Sequence, residues 1–188
     1  MKIKLFLLGC GLGLGVATSG FAVTTGVINA RLVLTTGCLV NGQPEVTNAD
    51  FGTLDFGTSV ATFDSLEATL SGSVGTGIFV RCTADEDFSV QVVNSNLKPA
   101  TVFGTESTTG QRYLIHDSDA STGISYTLYP SAASSAPIVN GARIEPVGTA
   151  DPINGDNYPI VGRIEGGGNN ATIPIGTYLD TINVSVTY

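Results

Sequence analysis

The residues that most constrain this fold are the last eleven, Tyr178-Leu-Asp-Thr-Ile-Asn-Val-Ser-Val-Thr-Tyr188. Apolar or aromatic side chains stand at Tyr178, Ile182, Val184, Val186 and Tyr188, and small polar ones at Thr181, Asn183, Ser185 and Thr187. A strand points successive side chains to opposite faces, so this period predicts a half-buried β-strand. Its valine, isoleucine, threonine and tyrosine content supports the same reading. With no later residue in the sequence to cover it, the strand is expected to leave an exposed edge, which invites pairing with another chain. An ordinary closing strand, paired inside its own sheet, is the simpler alternative, and the segment alone leaves both open.

The rest of the chain is patterned for β structure as well. Thr76-Gly-Ile-Phe-Val-Arg-Cys82, Phe88-Ser-Val-Gln-Val-Val93, Ile124-Ser-Tyr-Thr-Leu-Tyr129 and Tyr158-Pro-Ile-Val-Gly-Arg-Ile164 are short runs of strand formers. Turn signals separate them: Asn41-Gly42, Ser71-Gly72, Ser121-Thr-Gly123, Asn140-Gly141, Asn154-Gly155 and Gly166-Gly-Gly-Asn-Asn170. No window beyond the N-terminal leader sustains helical periodicity. Short strands with glycine-rich turns predict an all-β sandwich or barrel. A disulfide between an early and a middle strand favours a sandwich, with two sheets packed face to face.

Met1-Lys2-Ile3-Lys4 is basic, an apolar run extends from Leu5 to Ala17, and Ser19-Gly20-Phe21-Ala22 has the small residues that signal peptidase accepts. Residues 1–22 therefore read as a secretory signal peptide, cleaved near Ala22. Leu7-Leu8-Gly9-Cys10 has the outline of a lipoprotein box, but the apolar run before Cys10 is too short and continues past it. No later stretch reaches the roughly eighteen apolar residues of a membrane helix, so no integral membrane segment is expected in the mature chain. Removing the leader takes two basic residues and no acidic ones, leaving a net charge of −10 (six basic, sixteen acidic). Such a field does not favour nucleic acid or an anionic membrane as partner. About 166 residues remain, enough for one domain with its own core.

Cys38 and Cys82 then form an even pair in an oxidising compartment, for which a disulfide is the default. A loop of 44 residues would contribute about 4 kcal/mol on the chain-entropy estimate. Two thiols and one distant histidine lack the spacing of a zinc site, so no metal and no cofactor are expected. His116, in Leu-Ile-His-Asp117, is the only histidine and no Gly-x-Ser-x-Gly elbow is present. It reads as a structural residue at a strand end, and the chain as no enzyme. Asp85-Glu86-Asp87 and Asp117-x-Asp119 read as solvated turns without the spacing of a calcium loop. Gly72-x-x-Gly75-x-Gly77 leads into a strand, so it cannot offer a phosphate a helix N-terminus.

Residues 27–36 form a second alternating run, with Ile28, Ala30, Leu32 and Leu34 on one face and Asn29 and Arg31 on the other. This run reads as a strand beginning a few residues after the cleavage site.

Taken in order, these elements resemble the spore coat protein U domain family, and more closely the subunits of archaic (Csu-type) chaperone–usher pili. The elements are Val27-Ile28-x-Ala30-x-Leu32-x-Leu34-x-Thr36-Gly37-Cys38, Phe51-Gly-Thr-Leu-Asp-Phe-Gly57, Ile78-x-Val80-x-Cys82 and Ile124-x-Tyr126-x-Leu128-Tyr129. Gly176-x-Tyr178-x-Asp180-x-Ile182-x-Val184-x-Val186-x-Tyr188 completes them. Residues 94–111 and 131–155 carry no such motif.

The resemblance implies an incomplete immunoglobulin-like sandwich lacking one strand, which is supplied in trans. A periplasmic pilus chaperone lends that strand, and an outer-membrane usher exchanges it for the N-terminal extension of the next pilin subunit. Ile28, Ala30, Leu32 and Leu34 would be the donor side chains, and Ile182, Val184, Val186 and Tyr188 would flank the acceptor groove. Burying the donor side chains would contribute roughly 5–8 kcal/mol before ordering costs. Residues 23–36 would hold the donor, the subunit's own first strand, or both, and residues 37–188 the pilin domain. The address implied is the cell surface, as a pilus or fimbria supporting adhesion and biofilm formation. A secreted carbohydrate- or surface-binding sandwich, akin to a tip adhesin, is the alternative.

Overall fold

The computed structural model describes residues 23–44, 49–83, 87–166 and 172–188. The expected signal peptide, Asp85-Glu86 and the turn at residues 167–170 lie outside them. The chain divides after Leu34, and the body from Thr35 to Tyr188 is all β among the described residues.

The described residues of this body hold twelve strands: β1 Cys38–Val40, β2 Ser65–Thr69, β3 Ile78–Cys82, β4 Ser89–Asn94, β5 Thr101–Phe103, β6 Gln111–His116, β7 Asp119–Tyr129, β8 Arg143–Ile144, β9 Asp156–Tyr158, β10 Val161–Glu165, β11 Tyr178–Leu179 and β12 Asn183–Thr187. They assemble as three sheets, ordered β1-β3-β9, β11-β6-β7-β10-β2 and β12-β4-β8, with β5 running parallel to β7. The inward residues of all three meet in one core. Ile78 and Val80 come from the first sheet, Tyr126, Leu128 and Ile164 from the second, Val90, Val92 and Ile144 from the third. Period-two alternation on β3, β4 and β7 puts these side chains on the inner faces, which is the sandwich the pattern predicts.

Several expectations change in detail. The disulfide joins Cys38 and Cys82, but these are direct cross-strand partners on β1 and β3. It staples neighbours within one sheet and does not tie two sheets together. Residues 158–164 are not one strand. Tyr158 ends β9 in one sheet and Val161 begins β10 in another, because Pro159 has no N–H to continue a ladder. Ser121-Thr-Gly123 is not a turn but part of β7; the reversal lies at Asp117-Ser118. Gly123 serves there as a close-approach residue, since a Cβ would sit 2.8 Å from the Leu114 carbonyl oxygen and 2.9 Å from Pro99 Cγ. Asn41-Gly42 does turn the chain tightly, with φ of 48° and 75°, and Val40 and Gln43 exchange both backbone hydrogen bonds across it.

The run at residues 27–36 is not a strand in the single chain. It carries no ladder, and Ile28, Leu32 and Leu34 are 96%, 80% and 83% exposed. An alternating sequence supplies a face, but a strand also needs a second backbone to satisfy its N–H and C=O groups. Among the described residues the first strand is Cys38–Val40.

Candidate functional site

The C-terminal segment divides into two strands on different sheets. Tyr178 and Leu179 pair with His116 and Ile115 of β6, whereas residues 183–187 pair with β4. Asp180 holds the crossing point. One carboxylate oxygen accepts from the Asn96 backbone N–H at 2.8 Å and the other from the Tyr126 hydroxyl at 2.5 Å. Burial, then the Asp180 charge, pushes the Tyr126 phenol far above its ordinary value, so it remains a neutral donor.

Opposite this segment runs a strap, residues 49–61, with little strand structure of its own. Thr53 exchanges two backbone hydrogen bonds with Ser71, at 2.9 and 3.0 Å. Asx turns hold its bends, Gly52 N–H donating to Asp50 and Gly57 N–H to Asp55 at 2.9 and 2.7 Å. Phe51, Leu54 and Phe56 point inward against the core, and Phe56 meets the Tyr126 ring edge-on at 5.9 Å. Gly162 on β10 makes room for them: a Cβ there would lie 2.6 Å from Leu54 and 2.7 Å from Phe56.

Between strap and C-terminal segment lie two adjoining cavities, about 450 and 400 Å³. Ile124 and Ile164 floor the first, Leu70, Tyr126 and Ile160 the second, and Leu114 both; Leu54, Phe56, Tyr178 and Leu179 line both. Each wall is paired along one edge. Among the described residues, β11 bonds only β6, β12 bonds only β4, and the strap bonds only the chain around Ser71. The result is a cleft with an apolar floor and a partly polar rim, between two lengths of backbone with ladder groups to spare, which suits an added strand.

Of the expected groove residues, Ile182 and Val184 line the cleft. Val186 packs on the core without lining either cavity, and Tyr188 is 42% exposed. The strap holds the element Phe51-Gly-Thr-Leu-Asp-Phe-Gly57, and its legible signal is the apolar trio Phe51, Leu54 and Phe56 set in two Asp-Phe-Gly turns.

His116 is a fastening. Its Nδ1 accepts from the Ser118 N–H at 3.2 Å, its Nε2 lies 3.2 Å from the Ile175 carbonyl oxygen, and its ring meets Tyr178 edge-on at 5.0 Å. These contacts pin the cleft wall to β6. Asp119 spends its oxygens on Ser121 and Thr122, which hold its carboxyl below the ordinary range. Among the described residues no three His, Cys, Asp or Glu side chains are grouped to hold a metal ion. No helix among them is long and apolar enough to cross a membrane.

A comparison with curated proteins finds no match. The family model of the Spore Coat Protein U domain matches residues 24–185. That span takes in the alternating run at residues 27–36, the disulfide, the strap and the cleft-lining residues of the C-terminal segment from Tyr178 to Val184. It is consistent with a pilus or fimbrial subunit. On a match of this extent, the chain belongs to the Spore Coat Protein U domain family.

Proposed function

We propose that this chain is a structural subunit of a surface pilus assembled by the chaperone–usher pathway through donor-strand exchange. The subunit crosses the periplasm bound to a chaperone strand, which an outer-membrane usher replaces with residues 27–34 of the next copy. Ile28, Ala30, Leu32 and Leu34 enter the cleft, and main-chain hydrogen bonds to the wall backbones hold the strand. The contact is head-to-tail and does not close on itself, so it propagates into a fibre that serves adhesion and biofilm formation.

One observation supports this reading above the others: an apolar-floored cleft is open between two walls that each keep an unpaired edge, while the same chain bears an exposed alternating run. The test is expression of the mature chain in a periplasm with and without its cognate chaperone. Alone, the chain is expected to self-associate or be degraded; with the chaperone it is expected as a soluble one-to-one complex. A cooperative, soluble monomer obtained without the chaperone would overturn the proposal.

A further inference from the structure

The donor-like run and the cleft carry complementary charge. Arg31 is the only charged side chain between residues 23 and 36, and it is exposed. It lies on the face opposite Ala30 and Leu32, so it points away from the cleft when those two point in. Among the described residues the cleft lining contains no Lys, Arg, His or Glu, and its charged members are Asp50, Asp55 and Asp180. Asp180 has both oxygens committed to Tyr126 and Asn96. Asp50 has one oxygen in its turn with Gly52 and lines only the second cavity, flanked by Ala49 and Phe51, which line that cavity alone. Asp55 likewise has one oxygen in its turn with Gly57, and among the described residues the other has no hydrogen-bond or ion-pair partner. It is exposed, between the inward-facing Leu54 and Phe56 that line both cavities.

We infer that Arg31 of a second copy pairs with Asp55 on the rim of the cleft, and that this ion pair sets the register of the incoming strand. The inference rests on the donor-strand reading above and adds to it the residue pair that chooses one alignment. Apolar alternation alone does not choose, because a slip of two residues along the strand keeps every apolar side chain inward. The same slip moves Arg31 about 7 Å along the rim, away from Asp55. Opposite charges across a strand pair attract, so the slipped register forfeits that attraction, and reversing either charge alone replaces it with repulsion.

The full mature chain is its own test system, since each copy presents both residues. Arg31→Glu and Asp55→Lys are each expected to cut the yield of heat-resistant polymer about tenfold at low salt. The double variant is expected to return to within about twofold of the unmodified chain. Raising the salt to about 0.5 M is expected to shrink the single-variant losses, since both sites are exposed. Leu32→Asn is run in the same assay. If it abolishes polymer while Arg31→Glu and Asp55→Lys assemble normally, the donor reading stands and the ion pair is refuted. If both charge variants fail and the double variant is not rescued, the pairing is equally refuted. If Leu32→Asn assembles normally, the donor reading itself falls.

Discussion

The Tyr126 hydroxyl donates to the Asp180 carboxylate at 2.5 Å, tying the middle of β7 to the point where the C-terminal segment leaves one sheet for another. One carboxylate thereby positions a wall of the cleft. Tyr126→Phe removes the donor and strands a part-buried anionic oxygen, for an expected loss of about 1–3 kcal/mol. Asp180→Ala is expected to cost more, because it also orphans the Asn96 N–H. A lowered urea midpoint at unchanged slope reads both effects.

Burial of phenols, reinforced by Asp180 at Tyr126, makes stability sensitive to alkali. The Tyr126 phenol is raised by burial and by Asp180, and Tyr113 and Tyr158 are each raised to about 12, chiefly by burial. Unfolded phenols titrate near 10. The stabilisation is therefore complete below that pH and declines above it, as the unfolded chain releases protons that the folded chain retains. Tyr126 alone is expected to remove about 1.4 kcal/mol per pH unit in that window. Urea titrations at pH 8, 10 and 11 measure it, and Tyr126→Phe is expected to flatten the slope.

Replacing Cys38 and Cys82 together by serine is expected to lower stability by roughly 2–5 kcal/mol and to reduce surface assembly. Because β1 is only three residues long, fraying of that strand is the expected first event, visible as faster amide exchange at residues 38–40. Peptide mapping without reduction checks the bond in secreted material.

Gly162→Val tests whether the strap is a wall of the site. The new side chain would overlap Leu54 and Phe56, at an expected cost of about 1–3 kcal/mol in overpacking. Polymer yield is expected to fall as well, since both displaced residues line the cleft. A variant that loses stability but assembles at the normal level would remove the strap from the site.

Leu32→Asn and Val184→Asp separate donor from acceptor. Each places an unpaired polar group in apolar surroundings, for an expected loss of about 2–4 kcal/mol at the contact. Leu32→Asn is expected to abolish or weaken fibres while leaving chaperone binding intact, because the chaperone strand uses the cleft. Val184→Asp, on the cleft wall, is expected to impair both. Co-purification of the chaperone complex and a heat-resistance assay of polymer report the two steps independently.

What could be read without the tertiary structure is local chemistry. Period-two alternation located β3, β4 and the second half of β7, Asn41-Gly42 specified its turn through positive φ, and two cysteines remaining after export implied one bridge. What the fold alone decided is which backbones meet. The run from Tyr178 to Tyr188 alternates except at Leu179 and Asp180, yet the chain changes sheets there because Tyr126 and Asn96 are waiting to bind the Asp180 carboxylate. Ser121-Thr-Gly123 has the composition of a turn, yet it is strand because β5 and β6 supply ladders on both of its edges. The cleft, too, is absent from any single segment. It exists because the strap and the C-terminal segment, more than a hundred residues apart in sequence, each pair on one edge and leave the space between them empty. Side-chain periodicity records which face of a strand is apolar; the choice of neighbour depends on long-range hydrogen bonding and core packing, which only the folded chain brings together.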